Sequence, residues 1–167
     1  MDTEINCILF HNTWKLVGKL DNANTSGTIW NSKIKTVSDG TKKYKAILVA
    51  QGFNQVYGAY YQEIFAPVAR YAIIRLLFAF AVKNDLGIRH LDVKSAFFHS
   101  KIKDLYQPPG YESPYQKEEV CKLNKALYGL KQASRSWDIK LQGIFITMGF
   151  KKSKSDPSLY YLRTLYG

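Results

Sequence analysis

The sequence predicts an α+β domain, and three observations lead there. Two stretches carry apolar residues at helical spacing. Several short runs between and around them read as strands or hairpin pieces, and helices and strands alternate too irregularly for a doubly wound sheet. The chain has 167 residues, 46% of them hydrophobic, with 12 Tyr and 9 Phe. That is enough apolar material for one packed core, and it argues against disorder. No internal repeat or low-complexity tract interrupts the pattern.

Taken in order, residues 1–27 show no clear periodicity, and "LDNANTSG" at 20–27 has loop composition. "SDGTKKYKAILVAQGF" predicts a turn at 38–40 and a strand over about 44–50. Lys33, Lys35, Lys42, Lys43 and Lys45 cluster there, so a hairpin of this sequence presents a basic face. The alternative is an ordinary solvated charge run. Pro67 precedes the first helix, in which Ile73, Ile74, Leu77, Phe78, Ala81 and Val82 recur at helical spacing; a core helix is expected. "GIRHLDV" reads as a strand entering the core from Gly87. "YQPPGYESPY" at 106–115 reads as a connection. "VCKLNKALYGLKQ" predicts a short extended segment that turns near Gly129. The second helix is expected over about 134–148, with Trp137, Leu141, Ile144, Phe145 and Met148 on one face and Ser134 as cap. "SKSDPSLYYL" predicts a loop and then a strand from about Ser158.

Charge narrows the function classes. Lysine and arginine number 24 against 13 acidic residues, a formal excess of +11, with an isoelectric point near 9.6. Such a field favours polyanions, nucleic acid first and acidic membrane second, although a merely basic soluble protein remains open. Cys7 and Cys121 have no metal-ligand spacing and read as reduced thiols. No apolar run approaches the ~20 residues of a membrane span, so no membrane partner is expected. "INCILF" is short and follows acidic residues, so no secretory leader is expected and an intracellular location follows.

Five segments in order, "NTWKLV", "DGTKKYKAILVAQGFNQVYG", "FAPVARYAIIRLL", "RHLDVKSAF" and "VCKLNKALYGLKQASRSW", resemble the copia-type reverse transcriptase of long-terminal-repeat retrotransposons. The similarity runs from about Asn12 to the C-terminus and reaches back to Glu4. It implies a reverse transcriptase domain over 4–167, forming incomplete fingers and palm of a right-hand polymerase, with fingers at about 1–85 and 109–135 and palm at about 86–108 and 136–167. The implied partners are an RNA template with its DNA primer, deoxynucleoside triphosphates and the remainder of a Pol polyprotein. The implied setting is a cytoplasmic virus-like particle or the nucleus. The implied chemistry is nucleotidyl transfer assisted by two Mg²⁺ ions held by clustered carboxylates.

The resemblance makes Asp92 of "HLDV" the catalytic, metal-binding carboxylate, with the backbone near Val93 beside it. A strand-end polar residue is the plainer alternative. The family's further Tyr-x-Asp-Asp pair has no counterpart: no two aspartates adjoin, and the only neighbouring acidic pair is Glu118–Glu119. The resemblance therefore implies a fragment that stops before that hairpin and is inactive alone, or a non-enzymatic nucleic-acid-binding module derived from it. For such a fragment an exposed apolar strip is expected over about 158–165.

Other roles are likewise implied by the resemblance. Phe97 packs under the incoming sugar and excludes a 2′-hydroxyl, or is simply a core ring. Ser95 and Ala96 offer backbone N–H groups to the triphosphate, Gln132 touches the nucleotide, and Lys45 contacts phosphate. Lys33, Lys35, Lys42, Lys43, Lys131 and Arg135 supply charge toward nucleic acid. Tyr44 and Phe53 stack on bases or, more simply, fill the core. Departures from the family pattern are Ile47 in place of Arg, "WNSK" at 30–33 with polar residues at two expected core positions, Tyr60 and Ile64 in "YYQEIF", a shortened "LYQPPG", and Ser100 in place of Gly.

Overall fold

A computed structural model describes residues 1–18, 26–107 and 119–163. The chain divides into two compact units. The first comprises Met1–Phe65 with Ser95–Trp137, and the second Ala66–Lys94 with Asp138–Gly167. The α+β class stands. Of the connections read at 20–27 and 106–115, residues 20–25 and 108–115 lie outside the described residues, as does Glu118; residues 26–27 and 106–107 instead belong to strands, which pair with each other.

The first unit is a five-stranded sheet with one short helix. Helix α1 (Asp2–Phe10) leads into β1 (Trp14–Gly18), β2 (Ser26–Thr36) and β3 (Lys42–Ala50), and later β4 (Lys101–Gln107) and β5 (Glu119–Lys125) complete the sheet. The spatial order is β1-β5-β4-β2-β3. All neighbours are antiparallel except β2 and β4, which meet in parallel at Ser26–Tyr106 and Gly27–Gln107. Ile5 and Ile8 on one side of α1 pack with Leu48, Phe98, Leu123, Leu127 and Leu130 in the core. Ile8, Leu48, Phe98, Leu123 and Leu127 are fully buried, each removing an apolar side chain from water at about 1.5–3 kcal/mol. Both cysteines are free. Burial, helped by the nearby Glu119, pushes the Cys121 thiol up to about 11.

Two turns set the sheet's limits. Between β2 and β3, Thr41 donates its N–H to Asp39 Oδ1 at 2.8 Å and Gly40 takes φ +83°, so the expected turn at 38–40 forms. The strand after it starts two residues earlier than expected, at Lys42. The turn after β5 tucks beneath the end of β3, where Ala50 donates its N–H to Tyr128 O at 2.8 Å. Gly129 has φ +88°, and a Cβ there would lie 2.2 Å from Ala50 O. Only a glycine meets both demands.

The second unit holds α2 (Tyr71–Lys83), most of α3 (Ala133–Thr147), and the two-residue strands β6 (Lys151–Lys152) and β7 (Tyr160–Tyr161), which pair antiparallel. Phe145 of α3 meets Phe150 at 5.4 Å and Tyr160 at 4.8 Å between ring centroids. Asp156 accepts hydrogen bonds from the hydroxyl and N–H of Ser158, and these hold its carboxyl below the usual range. The expected strand from Ser158 thus begins two residues later, after an Asx turn. Ser134 lies inside α3, which starts one residue before it, so it does not cap the helix.

Three expectations are corrected here. Helix α2 forms where predicted, but it is not a core helix. Leu76, Leu77, Phe78, Phe80 and Val82 are all exposed and only Ala81 is buried. On the face its periodicity specifies, Ile73 and Ile74 are half-buried and Ala81 is buried, while Leu77, Phe78 and Val82 lie open. Residues 87–93 form no strand and are exposed throughout, because a strand needs a hydrogen-bonding neighbour and none among the described residues lies alongside. Asn31 and Ser32 of "WNSK" are exposed on β2 rather than core positions. Ser100, in contrast, is fully buried at φ −104° and donates its hydroxyl to Phe97 O at 2.8 Å. No glycine is required there. No helix among the described residues is long and apolar enough to cross a membrane. The strip expected at 158–165 shows exposed Tyr161 and Leu162; 164–165 fall outside the described residues.

Candidate functional site

The register of β2 against β3 builds the basic surface. Lys33 lies opposite Lys45 and Lys35 opposite Lys43. Side chains alternate along a strand, so these four lysines share one face of the ribbon. Lys42 pairs with Thr36 and takes the other face, beside the Tyr44–Ile34 pair. All five lysines are exposed. Like charges placed directly opposite one another destabilise a sheet, by about 0.2–1 kcal/mol per pair. A face that stacks two such pairs concentrates positive charge on one side of the ribbon. Tyr44 and Phe53 are 75% and 74% exposed, which corrects the core role expected for both. The ribbon and the short turn after it extend beyond the packed interior.

The N-terminus of α1 closes one side of this surface. A cleft of about 520 Å³ lies between Met1, Glu4, Lys35, Lys43 and Lys45. Glu4 is half-buried, and desolvation raises its carboxyl above the usual range despite a backbone hydrogen bond at Leu48 and the charge of Lys45. Its Oε1 has no hydrogen-bond partner among the described residues. Sequence reasoning missed both α1 and β2, and so could not foresee that Glu4 faces Lys45 or which lysines pair. The only available signal was the hairpin turn at 38–40, from which β2 follows by reflection.

A second group gathers on the turn before α3. Gln132 is buried; its Oε1 accepts from Gln55 Nε2 at 2.9 Å and its Nε2 donates to Tyr60 O at 3.3 Å. Lys131 donates from Nζ to Gln55 O at 3.0 Å and stands 5.2 Å over the Tyr61 ring. Arg135 forms an ion pair with Glu63 and donates to Phe65 O at 3.2 Å. All three side chains therefore grip residues 55–65. The Arg135–Glu63 pair is open to water, and such pairs contribute little to stability.

The remaining site residues fall in different units. Asp92 and Val93 lie in the second, exposed and outside any sheet. Ser95, Ala96 and Phe97 open the first unit's next segment. Ser95 adopts φ +53°, in the left-handed region, and its Oγ lies 3.2 Å from Cys7 Sγ. Ala96 begins a 3-10 turn over Ala96–His99, whose first N–H groups have no partner within the turn. Phe97 is half-buried and meets the Tyr128 ring edge-on at 4.9 Å. Among the described residues, no group of three or more His, Cys, Asp or Glu side chains comes together to hold a metal ion. A lone exposed carboxylate does not fit a two-Mg²⁺ site, which needs several oxygen ligands in common.

Comparison with known proteins adds to this geometry. Residues 11–164 match the family described as reverse transcriptase (RNA-dependent DNA polymerase). The chain is 42% identical over 168 aligned residues to the retrovirus-related Pol polyprotein from transposon RE1 of Arabidopsis thaliana, and 41% identical to that from transposon RE2 of the same plant. It is 38% identical to the Pol polyprotein from transposon TNT 1-94 of Nicotiana tabacum. Each alignment covers 98% of this chain but only 12–13% of the relative's length. No solved structure matches.

Proposed function

This chain belongs to the reverse transcriptase (RNA-dependent DNA polymerase) family, and from that premise we propose that it forms fingers and part of the palm of a right-hand polymerase. In this reading the fingers are about 1–85 and 109–135, and the palm about 86–108 and 136–167. The single observation that carries the reading is the ribbon face of Lys33, Lys35, Lys43 and Lys45, with exposed Tyr44 on the opposite face. There Lys45 meets a triphosphate or backbone phosphate and the other three neutralise the template strand, with Lys42 adding charge from the opposite face. Ser95 and Ala96 present N–H groups to phosphate, and the ring of Phe97, fixed by Tyr128, excludes a 2′-hydroxyl. Gln132, Lys131 and Arg135 act from behind, by holding residues 55–65 in place.

Asp92 supplies one carboxylate of the catalytic site. These 167 residues contain no adjacent aspartate pair, so the others must come from elsewhere in a Pol polyprotein. Polymerisation by these residues alone is not expected. The test is a pair of assays on one preparation. Fluorescence anisotropy with a template–primer should show binding that weakens steeply with salt. Primer extension with Mg²⁺ and deoxynucleoside triphosphates should yield no product. Salt-insensitive binding would refute the ribbon's role, and extended primer would refute the dependence on outside carboxylates.

A further inference from the structure

A second basic cluster forms away from the ribbon face, at the other end of α1. His11 closes that helix, and its ring meets the ring of His99 edge-on, 4.7 Å between centroids. Backbone hydrogen bonds tie the residues just after each histidine to the 124–126 segment. Thr13 O accepts from the N–H groups of Asn124 at 2.8 Å and Lys125 at 3.1 Å, and Ser100 O accepts from Ala126 N–H at 2.9 Å. Lys125 thereby comes close enough to His11 for its charge to act on that imidazole. It also lies directly opposite Lys101 in the β4–β5 pairing, immediately before a register shift. A cleft of about 480 Å³ opens between Lys101, Ile102, Asn124 and Lys125.

The chemistry of the four side chains selects an anion. Two lysines forced into register repel one another, and among the described residues neither has an ion pair. Two imidazoles could in principle hold a transition metal, but two ammonium groups alongside oppose a dication. We propose that His11, His99, Lys101 and Lys125 form a phosphate-binding site that takes the phosphodiester backbone of a nucleic-acid strand and grips it more tightly at acidic pH. The anion chemistry stands independently; only the source of the phosphate rests on the proposed function. The nine residues of α1 span about 14 Å at 1.5 Å each. That is about four nucleotide steps at roughly 3.4 Å each along one strand of a duplex.

The groups facing His11 explain the pH dependence. His99 from the 3-10 turn, Lys125 from β5 and the rings of Phe10 and Phe98 surround it. Partial burial, then His99, then Lys125 hold its imidazole below the usual range, and no carboxylate among the described residues offsets them. Phosphate supplies the missing negative charge and favours the imidazolium.

The test uses the full chain and a short fluorescent oligonucleotide at about pH 6 and about pH 8. Binding should be several-fold tighter at the lower pH. His11→Gln with His99→Gln should abolish that difference. Lys101→Gln with Lys125→Gln should lower the slope of log affinity against log salt by about one to two at both pH values. Lys33→Gln with Lys45→Gln should weaken binding but preserve the pH difference, which separates failure of this site from failure of the ribbon. On the unaltered protein, inorganic phosphate should shift the NMR signals of both imidazoles, and the oligonucleotide should compete with it. A pH difference that survives the histidine substitutions, imidazoles that ignore phosphate, or phosphate that the oligonucleotide cannot displace would each overturn the proposal.

Discussion

Lys33 of β2 and Lys45 of β3 are direct cross-strand partners, two like charges held side by side on an exposed ribbon. A sheet selected only for stability would separate them or place an acid at one position. Replacing Lys33 by Glu should therefore stabilise the folded chain, by a few tenths to about 1 kcal/mol. The same change should weaken oligonucleotide binding and flatten its salt dependence. Denaturant titration and anisotropy on the same variant measure the two effects. Loss of stability together with unchanged binding would show that the pairing serves neither purpose.

Glu4 provides a pH test beside the same ribbon. Its carboxyl is held above its ordinary value, with desolvation the largest cause. A group whose folded value is raised stabilises the fold below its unfolded value, and that contribution is lost as pH rises through the folded one. At neutral pH the ionised Glu4 therefore weighs against folding. Glu4→Gln should raise the melting temperature near pH 7, and the advantage should vanish by about pH 4. Equal gains at both pH values would point to a cause other than ionisation.

Gly129 should tolerate no side chain. Its Cβ would strike backbone atoms of Ala50 as well as the Val49 side chain, and its φ of +88° adds strain for any L residue. Gly129→Ala should cost about 2 kcal/mol or more and loosen the turn that carries Lys131 and Gln132. Urea titration measures the loss. Gly143, whose Cβ would meet nothing within 4 Å, serves as the control; being inside α3, its change to Ala should be neutral or stabilising.

Helix α2 should bind hydrophobic dyes. Five large apolar side chains lie open along it, more than isolated surface residues account for. Leu76→Gln with Phe80→Gln should cut dye fluorescence severalfold and improve solubility without lowering the melting temperature. A lower melting temperature would mean that these residues support the fold after all.

What could be read in the sequence follows the range of the forces involved. The turn at 38–40, the bend at Gly129 and the spans of α2 and α3 are local. Asp39 with Gly40, a glycine after an apolar run, and helical periodicity each specify structure within a few residues. Strand β2 was illegible because "SGTIWNSKIKT" is polar on both faces over much of its length, and its pairing rests on a partner across the turn. Helix α1 has nine residues, too few to be stable or periodic alone; it exists because Ile5 and Ile8 reach the core. Periodicity marked the apolar face of α2 but carried no information about whether anything covers it. Residues 87–93 have the alternation of a strand and no neighbour to pair with. Resemblance alone singles out Asp92, and charge alone singles out the lysines. Their sorting into paired faces required the register.

The most direct measurement is the salt dependence of template–primer binding by the unaltered chain beside a variant with Gln at 33, 35, 43 and 45. Each lost phosphate contact should lower the slope of log affinity against log salt by about 0.9 on a duplex, so the variant's slope should fall by up to about 3.6. Asp92→Asn should leave the slope unchanged. A quadruple variant that keeps its fold, its affinity and its slope would contradict the claim that this lysine face is where the protein meets nucleic acid.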